Sequence, residues 1–482
     1  MNYVLKDREP QAPLHYFEEI SQIPRGSGNE KAIATYIENW AKERNLYVDR
    51  DSCNNLFIKK PGTEGYENSE PVLLQGHTDM VCEKNSDTVH DFEKDPIKLV
   101  VDGDYLKADG TTLGADDGVA VSYIMALLDS KDIPHPPLEC LLTTSEEVGM
   151  TGAFGFDANK VSARKLINLD SDNENEILCG AAGGLRVAIS RGFDKVKAEG
   201  TALKLTVKGL MGGHSGGEIH MEKGNSNKIM GRILFECEKV SKLNLVSIEG
   251  GSKENAIPRE AFATICVPDD KVALVKTAAE SLAKNIADEL EDTDKDFTFK
   301  IEEAPKAETM MDEKASSDII AMLKLLPHGV RAKSMALKDL VVTSMNVGVV
   351  VTLDNAVEIR TSLRSSVESL ILNLADEVEL IARDHNAQAE RGSKYPGWKF
   401  ASVSPLRELC TRVYREMNGE EPKVIAIHAG LECGLFKEQI PDLDIISNGP
   451  NCKDIHTPDE TLDLNSYARV WKFLLRLLSE MK

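Results

Sequence analysis

The chain lacks any apolar run approaching 18 residues, so no membrane-spanning helix is expected. It also lacks a surplus of cations: Lys plus Arg number 57 against 79 Asp plus Glu, a formal charge of -22. Nucleic acid demands clustered positive charge for its phosphates, so no nucleic-acid partner is expected. The same imbalance says little about small substrates, because exposed charges are screened beyond about 8 Å at physiological salt. The nine cysteines are odd in number and include no CxxC pair, which argues for reduced thiols in a cytoplasmic protein rather than a disulfide framework. The opening MNYVLKDREPQAP has no apolar core of the kind a signal peptide needs, in keeping with that compartment. Internal repeats and low-complexity tracts are missing as well.

What is present reads as a globular protein of two or three domains, with 482 residues, 41% hydrophobic and 28% charged. EKAIATYIENWAKERN carries Ile33, Ile37, Trp40 and Ala41 at helical spacing and predicts an amphipathic helix. LYVDR, NLFIKK and VLLQGHTD predict short strands, DGVAVSYIMALLDS a buried helix, and PPLECLLTTS and RKLINLDSD two further strands. Alternating strands and helices, with polar residues where strands end, describe an α/β domain: a mixed sheet flanked by helices, taking ligands at its carboxyl ends. From about residue 186 the texture turns to half-solvated strands such as TALKLTVKGL and helices such as NSNKIMGRILFECEKVSKL, an α+β pattern lasting to about residue 395. PKVIAIHAG and LDIISNGP then return to buried, parallel-type strands, and NSYARVWKFLLRLLSEMK predicts a final amphipathic helix. The expected organisation is one α/β domain, residues 1–185 and 396–482, interrupted by an inserted α+β domain at 186–395.

Acids and histidines gather where the predicted strands end. LLQGHTDM sets His77 and Asp79 on one face of an extended segment, where the carboxylate can fix the imidazole tautomer; the alternative is a loop histidine beside a solvated acid. GTTLGADDGVAV places Asp116 and Asp117 at the start of a helix, where capping is the alternative. LINLDSD ends a strand in Asp170, TTSEEVG puts Glu146 and Glu147 side by side just past a strand, and GPNCKDIHTPDE carries His456 in a Pro- and Gly-bounded loop. Gathered into one pocket, these carboxylates would shift upward in pKa or destabilise the fold unless divalent cations neutralised them.

The motifs GHTDMV, GADDG, TTSEEVGMTGA, NLDSD, GGHSGG, NAIPRE and GPNCKDIHTPDE, in this order, resemble the co-catalytic dizinc peptidases, the family of carboxypeptidase G, aminoacylase, dipeptidase V and the carnosinases. The resemblance implies a zinc-exopeptidase-like catalytic domain and two divalent metal ions, with zinc suited to the mixed N/O donors and manganese or cobalt competing. It implies that Asp116 bridges the ions, that His77 and Asp170 complete one shell and Glu147 and His456 the other, and that Asp79 orients the His77 side. Adjacent residues leaving a strand point in different directions, so Glu147 can grip a metal while Glu146 serves as general base on a water. Many relatives have Lys after the aspartate pair, whereas Gly118 stands here; a cis Asp116–Asp117 peptide is also implied.

For the insert, the resemblance implies that His214 stabilises the oxyanion, that Asn255 contacts the substrate's carboxylate or oxyanion, and that Arg364 clamps that carboxylate, with Arg360 competing. Glu432, between glycines in HAGLECG, is the candidate for the substrate's free amine. An insert of this size implies a lid that restricts substrates to short peptides and a homodimer formed through that lid. The expected activity is hydrolysis of unblocked dipeptides, Xaa-His among them. The alternatives are an N-acyl amino acid deacylase on the same fold and a non-catalytic metal-binding scaffold.

Overall fold

A computed structural model describes residues 3–482 of the chain. It divides into two compact units, Met1–Gly180 with Phe400–Ala426 and Glu432–Lys482, and Ala181–Lys399 with Ile427–Leu431.

The first unit is built on an eight-stranded mixed sheet. Its strands lie in the order Tyr47–Arg50, Leu56–Lys60, Leu138–Thr143, Val72–His77, Lys165–Asn168, Asp444–Ser447, Glu176–Ala181 and Lys423–Ile427. Val72–His77 pairs in parallel with both Leu138–Thr143 and Lys165–Asn168, and the latter pairs in parallel with Asp444–Ser447. These strands read as near-continuous apolar runs because helices must cover both faces of a parallel sheet; every residue of Val72–His77 and Leu138–Thr143 is buried. One covering helix, Ala115–Asp129, is apolar all round and buried along most of its length. It packs closely enough on the sheet that a Cβ on Gly76 would stand 2.2 Å from that of Ala120.

Parallel pairing decides where the chemistry lies. His77 is in register with Thr143, and Gln75 with Asn168. The residues just past these strands, Asp79, Glu146, Glu147 and Asp170, therefore leave the sheet at one edge. His456 arrives differently. A small sheet in the order Cys452–Lys453, Thr461–Asp463, Tyr105–Ala108, Leu99–Asp102 ties the loop that carries it to the segment leading into Asp116. Asp463 then caps the last helix, Leu464–Ser479, by accepting the N–H groups of Asn465 and Ser466.

The second unit holds a nine-stranded sheet whose hairpin, Val341–Thr352 with Ala356–Ser365, pairs onward to Gly183–Gly192 and Gln388–Tyr395. Helices Ser226–Val240, Val272–Glu289, Glu313–Leu325 and Glu368–Asp384 share one apolar core with it.

One expectation needs correction. Lys423–Ile427, read as a buried strand from PKVIAIHAG, lies at the sheet's edge and is half-buried. Several elements were also missed: helices Gln11–Ile20, Glu313–Leu325 and Pro405–Asn418, strand Glu176–Ala181, and the Leu99–Asp102/Tyr105–Ala108 hairpin. Among the described residues no helix is long and apolar enough to cross a membrane.

Candidate functional site

In the first unit Asp116 stands between two histidines. Its Oδ1 is 2.9 Å from His77 Nε2 and its Oδ2 is 3.2 Å from His456 Nε2. The Asp116–Asp117 peptide is cis. Asp117 turns away from the cluster: its carboxylate accepts the N–H of His77 and that of Ala120 in the helix it begins. Three overlapping groups have donor atoms within 4.8 Å of one another: His77, Asp116 and Asp170; Asp116, Glu147 and His456; and His77, Glu146 and Glu147. His456, at φ 65°, and Ser145, at φ 55° just before the glutamate pair, hold left-handed conformations that cost side-chain-bearing residues energy. Such positions gather at functional sites.

Asp79 works behind this cluster. Buried beside the imidazole, it approaches His77 Nδ1 through Oδ1 at 3.4 Å and through its backbone carbonyl at 3.1 Å. Its carboxylate also accepts the N–H groups of Glu146 and Glu147 and the hydroxyl of Ser27. One acid thus orients both the first histidine and the glutamate turn.

Electrostatics show what the cluster needs. Burial, and then the charge of Asp116, push Asp170 well above the carboxylate range. Burial likewise pushes Glu146 up to about 8, with Glu432, Glu147 and Asp116 adding to the rise against the pull of His77. Burial alone would lower His77, but hydrogen bonds to Asp116 and Asp79 carry it well above the ordinary imidazole value. His456 rises to about 10 through its hydrogen bond to Asp116 and then the Glu147 carboxylate beside it. Burial works against Asp116, yet its two histidines hold it below the usual carboxylate range. Glu147 Oε1, buried and 3.0 Å from His456 Nε2 but outside hydrogen-bonding geometry, has no hydrogen-bond partner. A buried carboxylate oxygen with nothing to accept, among acids that cannot all ionise, fits divalent cations held by mixed N/O donors.

This arrangement carries a pH signature in the metal-free protein. Glu146 titrates near 8 when folded against an ordinary 4.5, so the folded chain holds a proton that the unfolded chain releases. Its contribution to stability therefore falls as pH rises through that window. The contribution of His456 is complete below its ordinary value of 6.5 and is lost as pH climbs towards about 10, which is the same direction. The melting temperature of chelator-treated protein is expected to fall between about pH 6 and about pH 9, and saturating zinc is expected to flatten the fall. A level profile in chelator would contradict the assignment.

In the second unit His214 and Arg364 come together, with 3.4 Å between Arg364 Nη2 and His214 Nε2. His214 Nδ1 accepts the N–H of Gly217, which leaves the ring's proton on Nε2. Burial and the Arg364 charge lower its pKa and keep it neutral. Arg364 is 6% exposed; its Nη1 donates to the Tyr395 hydroxyl at 2.9 Å and its Nε has no partner. Arg360, the competing arginine, is largely exposed and paired with Glu358. Asn255 has an exposed side chain and accepts the Ser215 N–H through its carbonyl. Asn346 grips the carbonyls on either side of it, Glu254 and Ala256.

Glu432 belongs to the first unit and is fully buried. Its Oε2 accepts Gln75 Nε2 and the Thr143 hydroxyl, both at 2.6 Å, while Oε1 is unpartnered. Burial raises it to about 7.

Sequence reasoning passed over Arg25, Glu460, Asn346 and Tyr395. Their partners are mostly backbone groups, which leave no mark on residue spacing.

Fold and site together define a hydrolase whose acids and histidines converge at the carboxyl edge of a mixed α/β sheet. The sequence profile of Peptidase family M20/M25/M40 matches residues 73–480, and the chain belongs to that family. It is 42% identical over 482 residues to the cytosol non-specific dipeptidase of Escherichia coli strain K12, covering 99% of each chain. It is similar to the crystal structure of aminoacylhistidine dipeptidase from Vibrio alginolyticus, with 38% identity, a TM-score of 0.93, and coverage of 99% of this chain and 98% of that one. The aminopeptidase PepT structure from Bacillus cereus shares the fold at 16% identity and a TM-score of 0.57, over 98% of each chain.

Proposed function

We propose that this peptidase hydrolyses unblocked dipeptides, Xaa-His among them, in the cytoplasm, using two divalent metal ions, zinc by preference with manganese or cobalt as competitors. The observation that carries the reading is the pair of donor triads sharing Asp116, with Glu146 beside them. Support for the substrate class comes from the two relatives of 42% and 38% identity, whose names describe dipeptidases.

His77, Asp116 and Asp170 would hold one ion, and Asp116, Glu147 and His456 the other. When bound, the ions would lower the pKa of a water and polarise the scissile carbonyl. Glu146 takes the water's proton on its carboxylate and returns it to the nitrogen of the leaving amine. Burial holds its carboxyl high in the metal-free protein, and bound cations would draw it down and free the carboxylate to accept that proton. Asp79 keeps Glu146 in place by holding its backbone N–H. In the second unit, His214 offers its Nε2 proton to the developing oxyanion. Arg364 and Asn255 receive the substrate's carboxylate, with Tyr395 fixing the guanidinium plane. The unpartnered Glu432 Oε1 is assigned to the free amine. A homodimer formed through the second unit completes the reading, and sedimentation of the purified chain measures it.

The deciding experiment is a panel of dipeptides and N-acetyl amino acids, assayed after chelation and readdition of zinc, manganese or cobalt. Ala-His and related dipeptides are expected to be cleaved and N-acetyl amino acids spared. Cleavage of the blocked compounds alone would overturn the dipeptidase reading in favour of a deacylase. For the carboxylate seat, Arg364→Lys is expected to raise KM about 10-fold or more, because a point charge cannot make the paired bonds of a guanidinium. Arg360→Lys is expected to leave KM unchanged. Equal KM values for parent and Arg364→Lys would remove Arg364 from the role.

A further inference from the structure

Arg25 lies in IPRGSGN, in the loop between helices Gln11–Ile20 and Lys31–Glu43, where an arginine ordinarily meets solvent. It is instead 2% exposed. Its bonds all go to backbone carbonyls: Nη1 donates to Thr78 at 3.0 Å and Asp79 at 3.1 Å, and Nη2 donates to Gly114. These carbonyls sit in the two segments that carry His77 with Asp79 and Asp116.

Glu460 grips the second segment by its N–H groups. Its Oε2 accepts those of Leu113 at 2.7 Å and Gly114 at 3.0 Å, and its Oε1 those of Ala115 at 2.8 Å and Asp116 at 3.4 Å. Gly114 is therefore held through both its N–H and its C=O. Two glycines leave room for the guanidinium: a Cβ on Gly118 would stand 2.8 Å from Nη2, and one on Gly114 2.6 Å from it. The space beside Gly118 is filled by Arg25.

We propose that Arg25 and Glu460 are positioning residues of the metal centre. Together they lock residues 78–79 and 113–116 in the arrangement where Asp116 faces both His77 and His456. The inference rests on the donor triads assigned above. A buried guanidinium gains little net stability from such bonds, because its desolvation offsets most of the attraction. Its value lies in holding donor atoms in place before a cation arrives, so the effect belongs in metal affinity.

The test uses the full chain, stripped of metal and dialysed against zinc alone and manganese alone. Arg25→Met and Gly118→Ala are expected to weaken cation binding about 10–100-fold. Both are also expected to speed hydrogen exchange at the amides of residues 113–116 in the metal-free protein. Arg25→Lys keeps the charge but cannot span three carbonyls, and is expected to fall between parent and Arg25→Met. Glu460→Gln keeps the shape but replaces one accepting oxygen with an NH2 donor facing two backbone N–H groups, and is expected to show the same two changes. If Arg25→Met does not fold, Gly118→Ala and Glu460→Gln decide. Folded variants with parent affinity and parent exchange would overturn the proposal, as would a lowered melting temperature with unchanged affinity. A parent chain that binds no divalent cation would instead refute the metal centre itself, a different result from parent-like variants.

Discussion

Glu146→Gln is expected to retain two divalent cations per chain while kcat falls about 10²–10⁴-fold. Glutamine keeps the length and shape of the side chain, and the turn that presents it is held by backbone bonds to Asp79, which the substitution leaves alone. The lost capacity is that of taking up a proton. A carboxylate can accept and release one, and an amide does neither. Metal content after dialysis and kcat on a single dipeptide are the two measurements. Parent-like turnover would remove Glu146 as the base. Loss of a cation would show it to be a ligand instead, as its membership in the third donor group allows.

Asp116→Asn is expected to cost more than any other single change, emptying both cation positions together and reducing activity to background. Asp116 is the one residue common to the two triads, with an oxygen towards each histidine. Asp170→Asn and His456→Ala each disturb one triad, so stoichiometry near one cation per chain is expected for them. The loss in affinity at Asp116 is expected to exceed the ~100-fold that outer partners of a metal site typically cost. Retention of one tightly held cation by Asp116→Asn would break the sharing on which the reading depends.

Much of this was legible in the sequence because strand ends announce themselves. VLLQGHTD, PPLECLLTTS and RKLINLDSD are apolar runs that stop at a polar residue, and the parallel register turns three separate stops into one edge. The hairpin Leu99–Asp102/Tyr105–Ala108 was missed although its Gly-Asp turn signal was there, since each arm is only four residues long. Lys423–Ile427 misled because apolar composition does not distinguish an edge strand from a central one. Arg25 and Glu460 stayed hidden for another reason. A charge that binds only peptide groups has no complementary residue at a readable spacing, and in IPRGSGN or HTPDE it looks like ordinary solvated loop.

The order in which the donors occur along the chain has a consequence for synthesis. His77, Asp116 and Asp170 all precede the second unit in the chain, whereas His456 follows it, with the helix that anchors its loop coming later still. A polypeptide translated only through the second unit therefore carries one triad and lacks a member of the other. On the proposed reading, the paired site is assembled only after the second unit has been made, so shorter nascent chains are expected to be inert.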